Sequence, residues 1–241
     1  MKIFIVIPTY NEKDNIKELI LKIFGLSIPD LNILIVDDNS PDGTADLVQD
    51  LMKNQTRLFI IKRPRKLGLG SAYREGFNFA LDRGAEVVFE MDADFSHQPK
   101  YIPSLIKGLE GADLVIGSRY ITGGRVENWP WRRLFLSRLA NWYVNFVLGL
   151  GIKDATSGFR VYKKEVLQGI NFKKILSDGY SFQVEMVYLV KRAGFKILET
   201  PIVFPDRKLG QSKISRGEVA SAIKNIIKLK TKKDKNGKKT V

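Results

Sequence analysis

Glu86-Val87-Val88-Phe89-Glu90-Met91-Asp92-Ala93-Asp94 joins an apolar run of the length of a buried strand to two carboxylates spaced one residue apart. Working outward, similar β-rich runs lie at 2–8, 32–37, 57–62 and 113–117. Amphipathic helical patterns fill 12–25, 42–53, 68–83 and 99–109 between them. This alternation predicts βαβ units: an α/β fold with a mixed, mainly parallel sheet and helices on both faces. If every strand ends at one edge, four segments gather around one crevice: Pro8-Thr9-Tyr10-Asn11-Glu12, Asp37-Asp38-Asn39, Asp92-Ala93-Asp94 and Gly117-Ser118-Arg119. Oxygen-only ligands there suit a hard divalent cation, and such a cation is commonly held through one or two carboxylates plus substrate phosphates.

The inventory of side chains narrows the chemistry. The chain has no cysteine, and His97 is its one histidine. Disulfides, thiolate zinc and cysteine nucleophiles are excluded, and a serine–histidine triad or a multi-histidine metal site nearly so. His97 reads as a loop or capping residue rather than a ligand. At 241 residues the chain is long enough for a sizeable core, and a single domain is expected over 1–230. Its formal charge of +14 calls for an anionic partner, and residues 224–241, with eight Lys against one Asp, carry +7 of it. The stretch 231–241 reads as a basic, disordered tail.

The amino terminus reads as a first strand rather than a signal peptide. The longest uncharged stretch, Leu139 to Ile152, has fourteen residues, short of the roughly 20 a spanning helix needs. A helical pattern over 131–149 is apolar on more than one side. It fits either a core helix or a helix lying at a lipid interface, with tryptophans at its edge and arginines at its start. Further on, a helix near 181–194, strands near 196–204 and a last helix over 216–230 are expected.

Other motifs are weaker alone. Gly68-Leu69-Gly70-Ser71-Ala72-Tyr73 has Tyr73 where a dinucleotide fingerprint requires a third glycine, and there is no Walker A lysine pattern. One of Asp37 and Asp38 suits a base or ribose, and the other suits capping through Asn39 and Ser40. Arg207 and Lys213, on the loop Pro205 to Lys213, fit either a solvated basic loop or a clamp on a leaving diphosphate.

Taken in order over about 2–230, the segments Pro8-Thr9-Tyr10-Asn11-Glu12, Val36 to Thr44, Asp92-Ala93-Asp94, Gly117-Ser118-Arg119-Tyr120, Thr156-Ser157-Gly158-Phe159-Arg160 and Gln211-Ser212-Lys213 resemble the polyprenyl-phosphate sugar synthases of glycosyltransferase family 2. Within that family they are most similar to the dolichol-phosphate mannose synthases. The resemblance implies a GT-A (Rossmann-like) fold, a nucleotide-binding half at 1–118 and an acceptor half at 119–230. It further implies transfer of mannose from GDP-mannose to dolichyl or another polyprenyl phosphate, with inversion.

Carried over position by position, Pro8, Tyr10, Glu12, Val36 and Asp38 would meet the nucleotide. Asp92, Ala93 and Asp94 would meet the diphosphate, with Asp92 and Asp94 holding Mg2+ or Mn2+. Arg119, Arg207 and Lys213 match phosphate-contacting cations, and Arg133 and Ser137 match the acceptor side. One departure is Ser96, where some relatives carry Gln as a further metal ligand. A lipid phosphate is already ionised and needs no general base. A sugar-hydroxyl acceptor would need one, for which Asp178 or Glu185 is the candidate.

The implied partners are a nucleotide sugar, a lipid phosphate and an anionic membrane surface, and not nucleic acid. The expected place is the cytoplasmic face of a membrane, peripherally, and the resemblance leaves room for a separate membrane-anchoring subunit. A glucosyl donor, and a catalytically silent scaffold that binds nucleotide sugars, remain as alternatives.

Overall fold

The computed structural model describes residues 1–172, 175, 177, 179–206, 226, 229 and 230. Arg207, Lys213, Asp178, most of the expected last helix and the basic tail lie outside the described residues.

The central sheet has seven strands in the order β3-β2-β1-β4-β7-β5-β8. Its first half is the expected alternation: β1 (Ile3–Thr9), α1 (Lys13–Phe24), β2 (Leu31–Asp37), α2 (Thr44–Met52), β3 (Leu58–Lys62), α3 (Leu69–Asp82) and β4 (Val87–Glu90). A short 3-10 turn, Pro99–Tyr101, then leads into α4 (Ile102–Gly108) and β5 (Leu114–Ser118). β1 pairs in parallel with β2 on one side and β4 on the other. Strand order therefore reverses at β1 and β4, the place where an open α/β sheet leaves a crevice outside its carboxyl ends.

Alternation along the strands explains the two-sided burial. Phe4, Val6, Leu34, Val36 and Val88 face one apolar layer with Tyr73, Phe77 and Phe182. Ile3, Ile5, Ile7, Ile33, Ile35 and Phe89 face the other, with Ile16, Leu19, Ile20 and Leu105. Gly76 lets α3 approach the sheet, since a Cβ there would stand 2.3 Å from Val6 Cγ1.

The second half contains β6 (Arg125–Glu127), α5 (Trp131–Leu148), β7 (Arg160–Lys163), α6 (Lys164–Gly169), α7 (Gly179–Arg192), β8 (Ile197–Pro201) and β9 (Val203–Pro205). β6 and β9 form a separate parallel pair. β6, β7 and α6 were not expected from the sequence. β7 also corrects the expectation that every strand ends at one edge, because it runs antiparallel to both β4 and β5. Its amino end meets the other strands' carboxyl ends, so Ser157-Gly158-Phe159 still arrives at the crevice.

The core-helix reading for 131–149 holds only in part: Val144 is buried in the first apolar layer, with Tyr143, Val147 and Leu148 packed against it. α5 buries Asn141 and Val144, while Trp131, Phe135, Leu136, Leu139, Trp142 and Phe146 are exposed. Tryptophan and phenylalanine are left in water because the helix packs through one narrow seam, Asn141, Val144 and Val147, and turns the rest of its surface outward.

Candidate active site

One side of the crevice starts where β1 and β2 end together, with Pro8 beside Val36 and Thr9 beside Asp37 in register. Asp37 is buried and accepts hydrogen bonds from Thr9 Oγ1 (2.8 Å), Ser40 N (2.9 Å) and Ser40 Oγ (2.6 Å). It is therefore the carboxylate that ties the turn through Asn39 and Ser40.

Asp38 holds a different loop. One oxygen takes Arg63 Nη1 at 2.6 Å, and the other takes the backbone N–H groups of Leu67 (3.2 Å) and Gly68 (3.1 Å). This anchors 63–68 as the rim, where Lys66 Nζ lies 4.1 Å from the centre of the Tyr10 ring. Glu12 accepts from Asn15 Nδ2 at 3.0 Å, and its own N–H donates to Thr44 Oγ1 at 3.0 Å.

Beyond β4 the chain makes a compact reversal. The Asp94 carboxylate accepts from the Ser96 N–H at 3.1 Å and from the Ser96 hydroxyl, and Phe95 takes a left-handed φ of 62°. The Asp92 N–H donates to His97 Nδ1 at 2.9 Å. His97 is buried and lies face to face with Phe159, 4.9 Å between ring centres. Burial pushes its pKa below the usual histidine value despite Asp92 and Asp94 nearby, so the ring is neutral. The histidine expected in a capping or loop role is thus a buried acceptor for the backbone. Ser96, where some relatives carry Gln, closes the turn on Asp94.

The residues present fit a divalent cation. Asp92 keeps a side chain 35% exposed, Asp94 is its carboxylate neighbour, and the one imidazole nearby is engaged with backbone. Among the described residues there is no cluster of three or more His, Cys, Asp or Glu side chains. Two carboxylates with the remaining positions left to water and phosphate oxygens are what magnesium or manganese accepts.

The opposite wall of the crevice is built around Arg119, 5% exposed at the end of β5. Its Nε and Nη2 donate to the two oxygens of Asp154 at 2.7 and 2.6 Å, and its backbone N–H adds a third bond at 2.9 Å. Burial pushes the Asp154 carboxyl up, but Arg119's charge and hydrogen bonds, with the Thr156 hydroxyl, bring it below the ordinary value. Glu199 of β8 fixes this loop by accepting the N–H groups of Lys153 and Asp154 at 2.8 and 2.9 Å. Thr156 Oγ1 accepts from Arg119 Nη2 (2.9 Å) and from Asn141 Nδ2 of α5 (3.0 Å).

Ser137 of α5 meets the Tyr120 hydroxyl at 2.7 Å. Arg133 pairs with Asp206 at 2.7 Å and lies 3.9 Å over Trp129. Rings connect the two sides: Phe204 stands edge-on to both His97 and Trp129, 5.6 Å from each.

The structure thus brings Pro8, Tyr10, Val36 and Asp38 to adjoining strand ends, Asp92 and Asp94 to the switch point, and Arg119, Arg133 and Ser137 to one wall. Several organising residues escaped the sequence reading. Arg160, fully buried, donates to the carbonyls of Ser157, Ala155 and Gln183 at 2.7 to 2.8 Å, so it builds the site floor. Beneath it Glu90, bonded by the Tyr162 hydroxyl at 2.8 Å, has its pKa raised by burial to about 7, although Arg160 pulls it down. Asp154 and Arg63 were also missed. Their signals were a lone acid two residues before Thr156 and the first cation of a basic run.

Known proteins match this arrangement. The chain is 45% identical over 221 residues to a polyprenol monophosphomannose synthase of Mycolicibacterium smegmatis, covering 91% of this chain and 83% of the relative. It is 42% identical over 226 residues to an undecaprenyl-phosphate mannosyltransferase of Micrococcus luteus, covering 94% and 93%. Among solved structures, glucosyl-3-phosphoglycerate synthase from Mycobacterium tuberculosis with Mn2+, UDP and glucosyl-3-phosphoglycerate superposes with a TM-score of 0.63 at 19% identity, covering 94% of this chain and 77% of that one. A mannosyltransferase of Pyrobaculum calidifontis in complex with GDP-Man and Mn2+ gives 0.57 at 19% identity, over 91% of this chain and 59% of that one. These likenesses show the GT-A fold. The glycosyl transferase family 2 profile matches residues 4–170, and with these relatives it establishes that the chain belongs to that family.

Proposed function

We propose that the protein transfers mannose from GDP-mannose to a polyprenyl phosphate of the dolichyl type, with inversion, on the cytoplasmic face of a membrane. One observation carries this reading. Asp92 and Asp94 sit at the switch point, bridged by Phe204 to a wall of Arg119, Tyr120, Arg133 and Ser137 whose helix α5 exposes a row of large apolar side chains. The relatives named for polyprenol phosphates support the acceptor, and the neighbour holding GDP-Man supports the donor.

Pro8, Tyr10, Glu12, Val36 and Asp38 hold the nucleoside, with the 63–68 rim beside it. Asp92 and Asp94 hold Mg2+ or Mn2+, which when bound neutralises the diphosphate as a leaving group. Arg119, kept rigid by Asp154, presents positive charge to phosphate without rearranging. Arg207 and Lys213 act on the departing nucleotide, and Ala substitution of either should lower transfer strongly. The acceptor phosphate arrives ionised, so its oxygen attacks with no proton to remove, and positioning supplies the rate. This suits a site whose Asp154 is ion-paired and whose Glu90 is buried.

Among the described residues no helix is long and apolar enough to cross a membrane. α5 instead offers an interfacial face. Beside it runs an open groove of about 720 Å³, lined by Tyr120, Asn141, Trp142, Phe146 and Ile152, with Arg138 and Lys153 in its walls. The groove suits the first prenyl units, and the basic residues suit anionic lipid, with a separate anchoring subunit compatible with the same face.

The test is a matrix of GDP-mannose, UDP-glucose and other donors against polyprenyl phosphates, with each metal. Mannosyl phosphate-lipid from GDP-mannose is the expected product. A glucosyl product, or no turnover with bound donor, would overturn the reading.

A further inference from the structure

We propose that His97 is a positioning residue for the divalent metal, acting through the backbone: by accepting the Asp92 N–H, its Nδ1 fixes the reversal that sets the Asp92 and Asp94 carboxylates against each other. This rests on Asp92 and Asp94 being the metal ligands.

Three observations carry it. The ring is 1% exposed, and its Nδ1 accepts the Asp92 N–H at 2.9 Å, with Asp92 Oδ2 at 3.7 Å. As the acceptor, that nitrogen bears no hydrogen. The ring's orientation is fixed from outside its own loop, by Phe159 stacked at 4.9 Å with 15° between planes and Phe204 edge-on at 5.6 Å. Phe95 lies at a φ that large side chains avoid, and the Ser96 bonds to Asp94 reach across only two residues. His97 closes the larger ring, from residue 92 to residue 97, and fastens the ligand-bearing turn to aromatic side chains of the acceptor half.

A group that orients a metal ligand changes metal affinity by roughly 10- to 100-fold when removed. Full-length protein is titrated with Mn2+ in the presence of GDP, and free Mn2+ is read by electron paramagnetic resonance. Asn and Leu are close in size and both remove the ring, but Asn Oδ1 branches from the same Cγ as the native Nδ1. His97→Asn is expected to keep affinity within about 3-fold of wild type, with His97→Leu weaker by about 10-fold or more. His97→Phe, which retains the ring stack without an acceptor, should weaken it as Leu does. Folding of each is checked by circular dichroism.

Wild-type affinity in folded His97→Leu or His97→Phe overturns the proposal, as does equal loss in folded Asn and Leu variants. Asp94→Asn runs alongside. If it binds Mn2+ as tightly as wild type, the ligand assignment fails and this inference with it. If it loses Mn2+ while His97→Leu does not, only the role of His97 fails.

Discussion

Arg119 and Asp154 meet side-on, Nε and Nη2 against the two carboxylate oxygens at 2.7 and 2.6 Å, with both side chains almost wholly out of solvent. Removing one partner strands a buried charge, which costs about 3–5 kcal/mol. Asp154→Ala should therefore lower unfolding free energy by about that amount in urea titration. Because the folded Asp154 carboxyl titrates below its unfolded value, its contribution is complete above about pH 4 and is lost as pH falls through the folded value. Acid denaturation of the wild type should steepen below about pH 4, and the Ala variant should lack that part of the slope.

Asp94→Asn removes charge while keeping shape. Transfer should fall by about 100-fold or more, with excess Mn2+ failing to restore it. The melting temperature should move by only a few degrees, since the Asn oxygen still accepts from the Ser96 N–H. Initial rates across a Mn2+ series, beside a thermal melt, check both parts.

Trp142 and Phe146 stack on each other at 5.5 Å while 62% and 75% exposed. Burying one such side chain is worth about 1.5–3 kcal/mol. Replacing both by Ser should weaken binding to vesicles containing anionic lipid by at least about 10-fold and leave urea stability nearly unchanged. Vesicle co-sedimentation measures the first, and equal sedimentation would remove α5 from the membrane.

Gly76→Ala should destabilise the fold by about 1–3 kcal/mol through overpacking. The added methyl would lie 2.3 Å from Val6 Cγ1, on a strand with no room to retreat. Chemical denaturation would register the loss, and full stability would mean that α3 can slide outward.

What was legible in the sequence follows from range. β1 to β5 and the helices between them are long periodic runs, so their burial pattern showed directly, as did the carboxylates after β4. β7 was hidden because Arg160-Val161-Tyr162-Lys163 is four residues within a polar motif, and its direction depends on partners far along the chain. α5 was ambiguous because apolar side chains on several faces look alike whether they meet protein or lipid. Tertiary packing decided it, by burying Asn141 and Val144 and leaving Trp142 and Phe146 exposed. Asp154 and Arg63 share one reason for escaping notice, and His97 for being read only as a loop or capping residue: each acts on a group across a turn or a strand, and spacing alone does not reveal an N–H, a carboxylate or a guanidinium as its object.

The antiparallel course of β7 has a consequence for how such chains can diversify. The Gly117 N–H donates to the Phe159 carbonyl at 2.8 Å, and the Ser157 hydroxyl donates back to the Gly117 carbonyl at 2.6 Å. Everything from 118 to 158, including α5 and its aromatic face, is an excursion that leaves and rejoins the sheet through one clasped stem. A chain so arranged can vary that excursion in length and sequence while the sheet and the Asp92–Asp94 turn beside it stay in place.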